Sequence, residues 1–158
     1  MDHNILLLIN TLIINISLHS IYKTQLKYKL MMLFQKISRF TPKLQNIQLS
    51  NNTLGTVDLG VFVNLTSLQV LNLSGNSLDE NWIKSGIFRG LHSLIILDLS
   101  SNHISKIDGG LFQDLNALQV LNLGFNQVNS SIKIFLDIFW ISVRFLEQYF
   151  SIWVPQNL

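Results

Sequence analysis

Cysteine is absent from the 158 residues, which excludes disulfide bonds, thiolate metal sites and a cysteine nucleophile, and leaves the redox compartment open. Proline and glycine are scarce, with two and eight residues, and only 13% of the residues are charged. This composition is neither fibrous nor disordered. What the chain does have is a hydrophobic content of 48%, which is enough to fill the core of one ordinary domain.

Signatures of enzyme chemistry are missing as well. The sequence has no H-E-x-x-H or G-x-S-x-G motif and no glycine-rich phosphate loop. Its four histidines are scattered along the chain: His3, His19, His92 and His103. We therefore predict that the chain is not an enzyme and binds no metal ion or organic cofactor.

Positive charge is concentrated at the amino-terminal end. Residues 1–43 hold six basic residues against one acid, whereas residues 44–128 hold six acids against three bases. The amino-terminal lysines alternate with leucine and methionine at helical spacing, and no nucleic-acid-binding motif accompanies them. We therefore predict no nucleic-acid partner.

One pattern recurs four times in the chain. Its copies read LQNIQLSNNTL from Leu44, LQVLNLSGNSL from Leu68, LIILDLSSNHI from Leu94 and LQVLNLGFNQV from Leu118, and their starts lie 24, 26 and 24 residues apart. Each copy fits L-x-x-L-x-L-x-x-N-x-L, with Ile or Val in place of some leucines, which is the pattern of a leucine-rich repeat. We assign residues 44–131 to these repeats.

Alternation within each copy predicts a short strand. In the second copy, Leu71 and Leu73 should point inward while Val70 and Asn72 point outward. One such strand cannot bury its leucines alone, so consecutive units must stack and share one core. The predicted fold is an α/β solenoid of about four repeats, with a short parallel sheet on its concave face and helices flanking both ends.

Two further sets of residues recur along the repeats, an asparagine in all four units and a phenylalanine in the first three. Asparagines at the sharp turn after each strand should satisfy backbone groups that lack a ladder partner, as a structural ladder of Asn52, Asn76, Asn102 and Asn126. Phenylalanines should stack as an aromatic column under the convex side: Phe62, Phe88 and Phe112. The second unit carries two extra residues within 79–86, so Trp82 should project from the loop face or pack over it.

Outward strand residues should form two columns on the concave sheet, where a partner would bind. One column is mainly aliphatic and consists of Asn46, Val70, Ile96 and Val120. The other is polar and consists of Gln48, Asn72, Asp98 and Asn122. This mixture suits a protein partner better than a highly charged ligand.

The two ends of the chain have different patterns. Residues 1–20 are an apolar, signal-like segment, which is either cleaved or retained as an anchor. Residues 21–43 form a basic amphipathic flank, a candidate amino-terminal cap or membrane-surface helix. Residues 132–158 are an apolar amphipathic helical tail that caps the solenoid, lies at a membrane or spans it, although Asp137 and Arg144 oppose a span. A further alternative is that this tail is a gene-model artefact and not native coding sequence.

Five sequons allow N-glycosylation if the chain is exported. Asn64 and Asn129 are the better candidates, followed by Asn51. The other two are Asn15 and Asn72, and a glycan on Asn72 would block the concave sheet.

Residues 40–128 resemble the ectodomain of insect Toll-type receptors, most clearly in the longer unit with Asn81, Trp82 and Ile83 before Gly86 and Phe88. The resemblance implies a protein-binding module at the cell surface or secreted, which recognises a protein ligand or co-receptor and takes part in signalling in innate immunity or development. The family's cysteine-rich caps are missing. The alternatives are a membrane-associated repeat protein held by its terminal helices and a truncated fragment with only a structural role.

Overall fold

The computed structural model describes residues 43–52, 54–55, 60–84, 86–127 and the backbone of 151–153. Five short strands form one parallel sheet in chain order. They are β1 (Asn46–Gln48), β2 (Val70–Asn72), β3 (Ile96–Asp98), β4 (Val120–Asn122) and β5 (Ser151–Trp153). Because each of the first four strands lies in one copy of the repeat, the predicted solenoid with a parallel sheet is confirmed.

The central residue of each repeat strand forms the core beneath the sheet. Leu71 pairs with Ile47 on one side and Leu97 on the other, and Leu97 pairs in turn with Leu121. All four are fully buried. The consecutive units therefore share one dry interior, which is what the aliphatic positions of the repeat require.

Hydrogen bonding between units continues beyond the three-residue strands. The Leu73 N–H donates to the Asp98 carbonyl at 2.8 Å, and the Gly75 N–H donates to the Ser100 carbonyl at 2.9 Å. The equivalent bonds recur between the other neighbouring repeats. The turn after each strand is thus tied to the next unit by the same parallel pattern as the strand.

The described ranges contain strands and turns but no helix. The α part of the predicted α/β class and the flanking helices are therefore not supported. Residues 151–153 correct the predicted helical tail of 132–158, because they form strand β5 beside β4. The rest of that tail, the flank at 21–42 and the apolar segment at 1–20 lie outside the described residues.

Aromatic rings fill the convex half of the core. Phe62 and Phe88 stack with centroids 6.4 Å apart, and Phe88 and Phe112 stack at the same distance with ring planes 8° apart. Trp82 meets Phe88 edge-on at 6.0 Å and is 3% exposed. The extra residues of the second unit therefore send Trp82 into the core and do not project it into solvent.

A left-handed residue directly precedes each asparagine of the ladder. The φ angles at this position are 54°, 63°, 53° and 55°, for Asn51, Gly75, Ser101 and Phe125 in that order. Three of the four are not glycine, although side chains other than glycine seldom adopt this conformation. The tight turn imposes one backbone geometry on four different residues.

Candidate functional site

The pairing register aligns the outward residues of the repeats into the two columns expected from the sequence. Asn46, Val70, Ile96 and Val120 are consecutive partners across β1 to β4. Gln48, Asn72, Asp98 and Asn122 are consecutive partners in the same four strands. We call these the aliphatic column and the polar column of the concave face.

The aliphatic column is partly exposed to solvent, most of all at its centre. Ile96 is 36% exposed, and Val70 and Val120 beside it are partly exposed. Asn46 at the amino-terminal end accepts a hydrogen bond from the Gln48 side-chain amide at 2.8 Å, which links the two columns. Adjacent strands lie about 4.8 Å apart, so the three aliphatic side chains form a continuous apolar strip.

Residues of the polar column also shape the turn at the end of each strand. The side-chain oxygen Oδ1 of Asn72, Asp98 and Asn122 accepts the N–H two residues further on, at 2.9, 2.9 and 3.0 Å. Sequence reasoning missed this role. The signal was present as Asn or Asp followed two residues later by Ser or Gly, the composition of an Asx turn.

The asparagine ladder lies inside the turns, away from the concave surface. Asn76, for example, donates Nδ2 to the carbonyls of Leu49, Leu73 and Ser74 and accepts the Leu54 N–H on Oδ1 at 3.1 Å. Leu49 and Leu54 belong to the preceding unit, so one amide bridges two units. The same four-bond arrangement recurs at Asn102 and Asn126.

Asn52 differs from the other members of the ladder. Its Nδ2 donates to the Leu49 and Ser50 carbonyls of its own unit, at 2.9 and 3.0 Å. Its Oδ1 is buried and has no hydrogen-bond partner among the described residues. Within these residues, Asn52 therefore makes half the hydrogen bonds of Asn76 or Asn102 and none to another unit.

Polar contacts on the convex side connect the units without forming a site. The Asp114 carboxylate accepts the Gly90 N–H at 2.9 Å, and the His92 ring nitrogen lies 3.0 Å from the Asp114 carbonyl. A hydrogen bond from its own backbone, and then one from the Ser105 hydroxyl, lowers the pKa of the exposed Glu80 carboxyl. Within the described ranges, these contacts do not bring the acids and histidines together into one cluster.

The candidate glycosylation sites fall in different surroundings. Asn64 and Asn51 are exposed and lie in left-handed turns, with φ angles of 71° and 54°. Asn72 lies within β2, and its Oδ1 is occupied by the Ser74 N–H and hydroxyl. Asn129 lies outside the described residues.

The described residues contain neither a metal site nor a membrane-spanning helix. In the part of the chain that the structure describes, no three His, Cys, Asp or Glu side chains come together in a way that could hold a metal ion. The same part contains no helix of sufficient length and apolar character to cross a bilayer.

A comparison with known protein families identifies the family of this chain. The family model described as leucine rich repeat matches residues 29–79 and 82–128, which is more than half of the sequence. The chain belongs to the leucine-rich repeat family. Solenoids of this kind offer extended concave surfaces to protein partners.

Among solved structures, the chain matches one titled as the Toll–Spatzle complex, a molecular hub in Drosophila development and innate immunity. The TM-score is 0.55 and the identity is 30% over 64% of this chain. The match covers 14% of the other chain's length, so this sequence corresponds to a small part of that protein. The expected resemblance to a Toll-type ectodomain is confirmed. A comparison with curated proteins found no match.

Proposed function

We propose that the chain is a protein-binding module of the Toll-type ectodomain class and that the concave columns are its contact surface. The partner is a protein ligand or co-receptor on the extracellular side, and the module contributes to ligand recognition and signal transduction in innate immunity or development. The similarity to a chain of the Toll–Spatzle complex supports the extracellular placement and the protein partner.

One observation carries this proposal: the open aliphatic strip beside a polar column on the same sheet. Apolar area gives affinity when it is buried against a partner, and polar groups beside it select that partner. The apolar area comes from Ile96, Val70 and Val120. The polar groups beside it come from Asn72 and Asp98. Asn76, Asn102 and Asn126 of the asparagine ladder already hydrogen-bond to backbone groups inside the turns, so the proposal does not use them for recognition.

The absence of cysteine permits a direct test, because a single introduced cysteine can be labelled alone. Ile96→Cys lies in the middle of the aliphatic column, and Gln113→Cys is exposed between the convex residues Phe112 and Asp114. Each variant is coupled to a polyethylene glycol maleimide. A displayed random-peptide library is then selected against the unlabelled and labelled proteins.

Peptides enriched on the unlabelled protein should lose binding when the polymer is on Ile96→Cys and keep it when the polymer is on Gln113→Cys. Equal binding to both labelled proteins would place the contact surface elsewhere. Failure to enrich any peptide on the unlabelled protein would refute the proposed function.

The extracellular location of the module is tested by expressing the protein in insect cells with a carboxy-terminal reporter. Secretion with a glycan that is lost in Asn64→Gln supports an extracellular module. Retention in membranes after carbonate extraction would favour the membrane-associated alternative. Insoluble product would favour a structural fragment.

A further inference from the structure

The polar column contains one residue whose charge the local fold does not use. Asn72, Asp98 and Asn122 form the same turn, and each needs one side-chain oxygen to accept an N–H. An amide oxygen performs this role at Asn72, where Ser74 supplies the same N–H and hydroxyl pair that Ser100 supplies to Asp98. The turn therefore does not account for a carboxylate at residue 98.

Both hydrogen bonds of the Asp98 side chain reach the same oxygen. The Ser100 N–H at 2.9 Å and the Ser100 hydroxyl at 2.6 Å both donate to Oδ1. Within the described ranges, Oδ2 has no hydrogen-bond donor, and no lysine or arginine pairs with the carboxylate. The basic residues of these ranges lie off the strands, at Lys43, Lys84, Arg89 and Lys106.

The residues around Asp98 favour a cation that carries its charge at the end of an aliphatic stem. Ile96 lies two residues before it on β3, on the same face, with Val70 and Val120 on the adjacent strands. Arginine and lysine carry a charged group on an aliphatic stem, which packs along apolar surface while the charge reaches a polar partner. The sheet thus offers a carboxylate oxygen for the charge and an apolar strip for the stem.

We propose that Asp98 anchors a basic side chain of the partner, an arginine or a lysine, through its Oδ2, with the stem packed on the aliphatic column. This rests on the proposed function and specifies the chemistry of the partner at that surface. Hydrogen bonds to an ionised group are stronger than neutral ones, and covering the pair with apolar side chains removes much of the screening by water. Asp98 therefore selects for positive charge at one position of the ligand.

The decisive variants change charge without changing shape. Asp98→Asn keeps Oδ1 for the turn and removes the carboxylate. The double variant Asp98→Asn with Asn72→Asp moves the carboxylate by one strand and keeps the net charge. Both should melt within a few degrees of the parent protein, because the turn hydrogen bonds persist in each.

The same displayed peptide library is selected against the parent protein and both variants at low and high salt. The enriched peptides should carry an excess of arginine or lysine on the parent protein. The affinity of a basic peptide should fall about tenfold on Asp98→Asn, the range of a charged hydrogen bond, and the double variant should not restore it. High salt should leave most of this difference in place, because a covered ion pair is little screened.

Two results would overturn the inference and leave the proposed function standing. The first is enriched peptides that bind the concave face without an excess of basic residues. The second is full recovery of affinity in the double variant, which would show attraction to net charge and not to residue 98. Failure to enrich any peptide would refute both proposals together.

Discussion

Replacing Asn102 with alanine should test how the units are held together. The Asn102 side chain accepts the Leu78 N–H at 3.0 Å and donates to three carbonyls, those of Leu73, Leu99 and Ser100. Leu78 is fully buried, so the substitution would leave its N–H without a hydrogen-bond partner. An unsatisfied buried group costs about 1–3 kcal/mol.

The three carbonyls lose less, because each keeps another donor. Leu73 keeps the Asn76 side-chain amide at 2.9 Å, and Leu99 keeps that of Asn126 at 2.9 Å. The Ser100 carbonyl still accepts the Gly75 N–H at 2.9 Å. Most of the loss should thus come from the Leu78 N–H, and we expect Asn102→Ala to cost about 3 kcal/mol in free energy of unfolding.

Asn52→Ala is the matched control within the same ladder. The Oδ1 of Asn52 has no partner to lose, and the Leu49 carbonyl keeps the Asn76 amide at 3.0 Å. The substitution also removes the hydrogen bond to the Ser50 carbonyl. No other side-chain amide of the ladder donates to that carbonyl. The expected cost is about 1 kcal/mol or less, within the range of a single hydrogen bond.

Denaturant unfolding followed by circular dichroism measures both variants against the parent protein. A difference of about 2 kcal/mol would be a large share of the stability of a small domain. Equal losses for the two variants, or no loss for Asn102→Ala, would show that the bridging amides do not hold the units together.

The core and the turns give two more predictions, both measured by thermal and denaturant unfolding. Phe88→Ala should cost about 3–5 kcal/mol, because it removes the ring that contacts Phe62, Phe112 and Trp82 at once, and a loss below 1 kcal/mol would contradict the stacked column. Gly75→Ala should destabilise by more than about 1 kcal/mol, because φ is 63° and a Cβ would meet the Asn51 side chain. An unchanged melting temperature for Gly75→Ala would contradict that geometry.

The sequence could predict the repeating positions because each of them has one physical requirement. The inward residue of each strand must be aliphatic, because it lies in the shared core. The residue inside each turn must both donate and accept hydrogen bonds. Leucine and asparagine therefore recur at fixed spacing. The same period predicts that Asn72 and Asp98 lie in one column, as the pairing of β2 with β3 shows. It did not show that their Oδ1 atoms shape the turns, because a period gives the position of a residue and not its hydrogen-bond partner.

Two other features depend on contacts that no local pattern contains. The left-handed turn position is held by Ser101 and Phe125 as well as Gly75, so its conformation is imposed by the neighbouring units and not by residue type. Strand β5 lies in a stretch whose apolar spacing predicted a helix, yet its register places Ile152 beside Leu121, in line with the buried rungs. The edge of β4 supplies parallel backbone partners, and hydrogen bonding along that edge outweighs a weak helical preference.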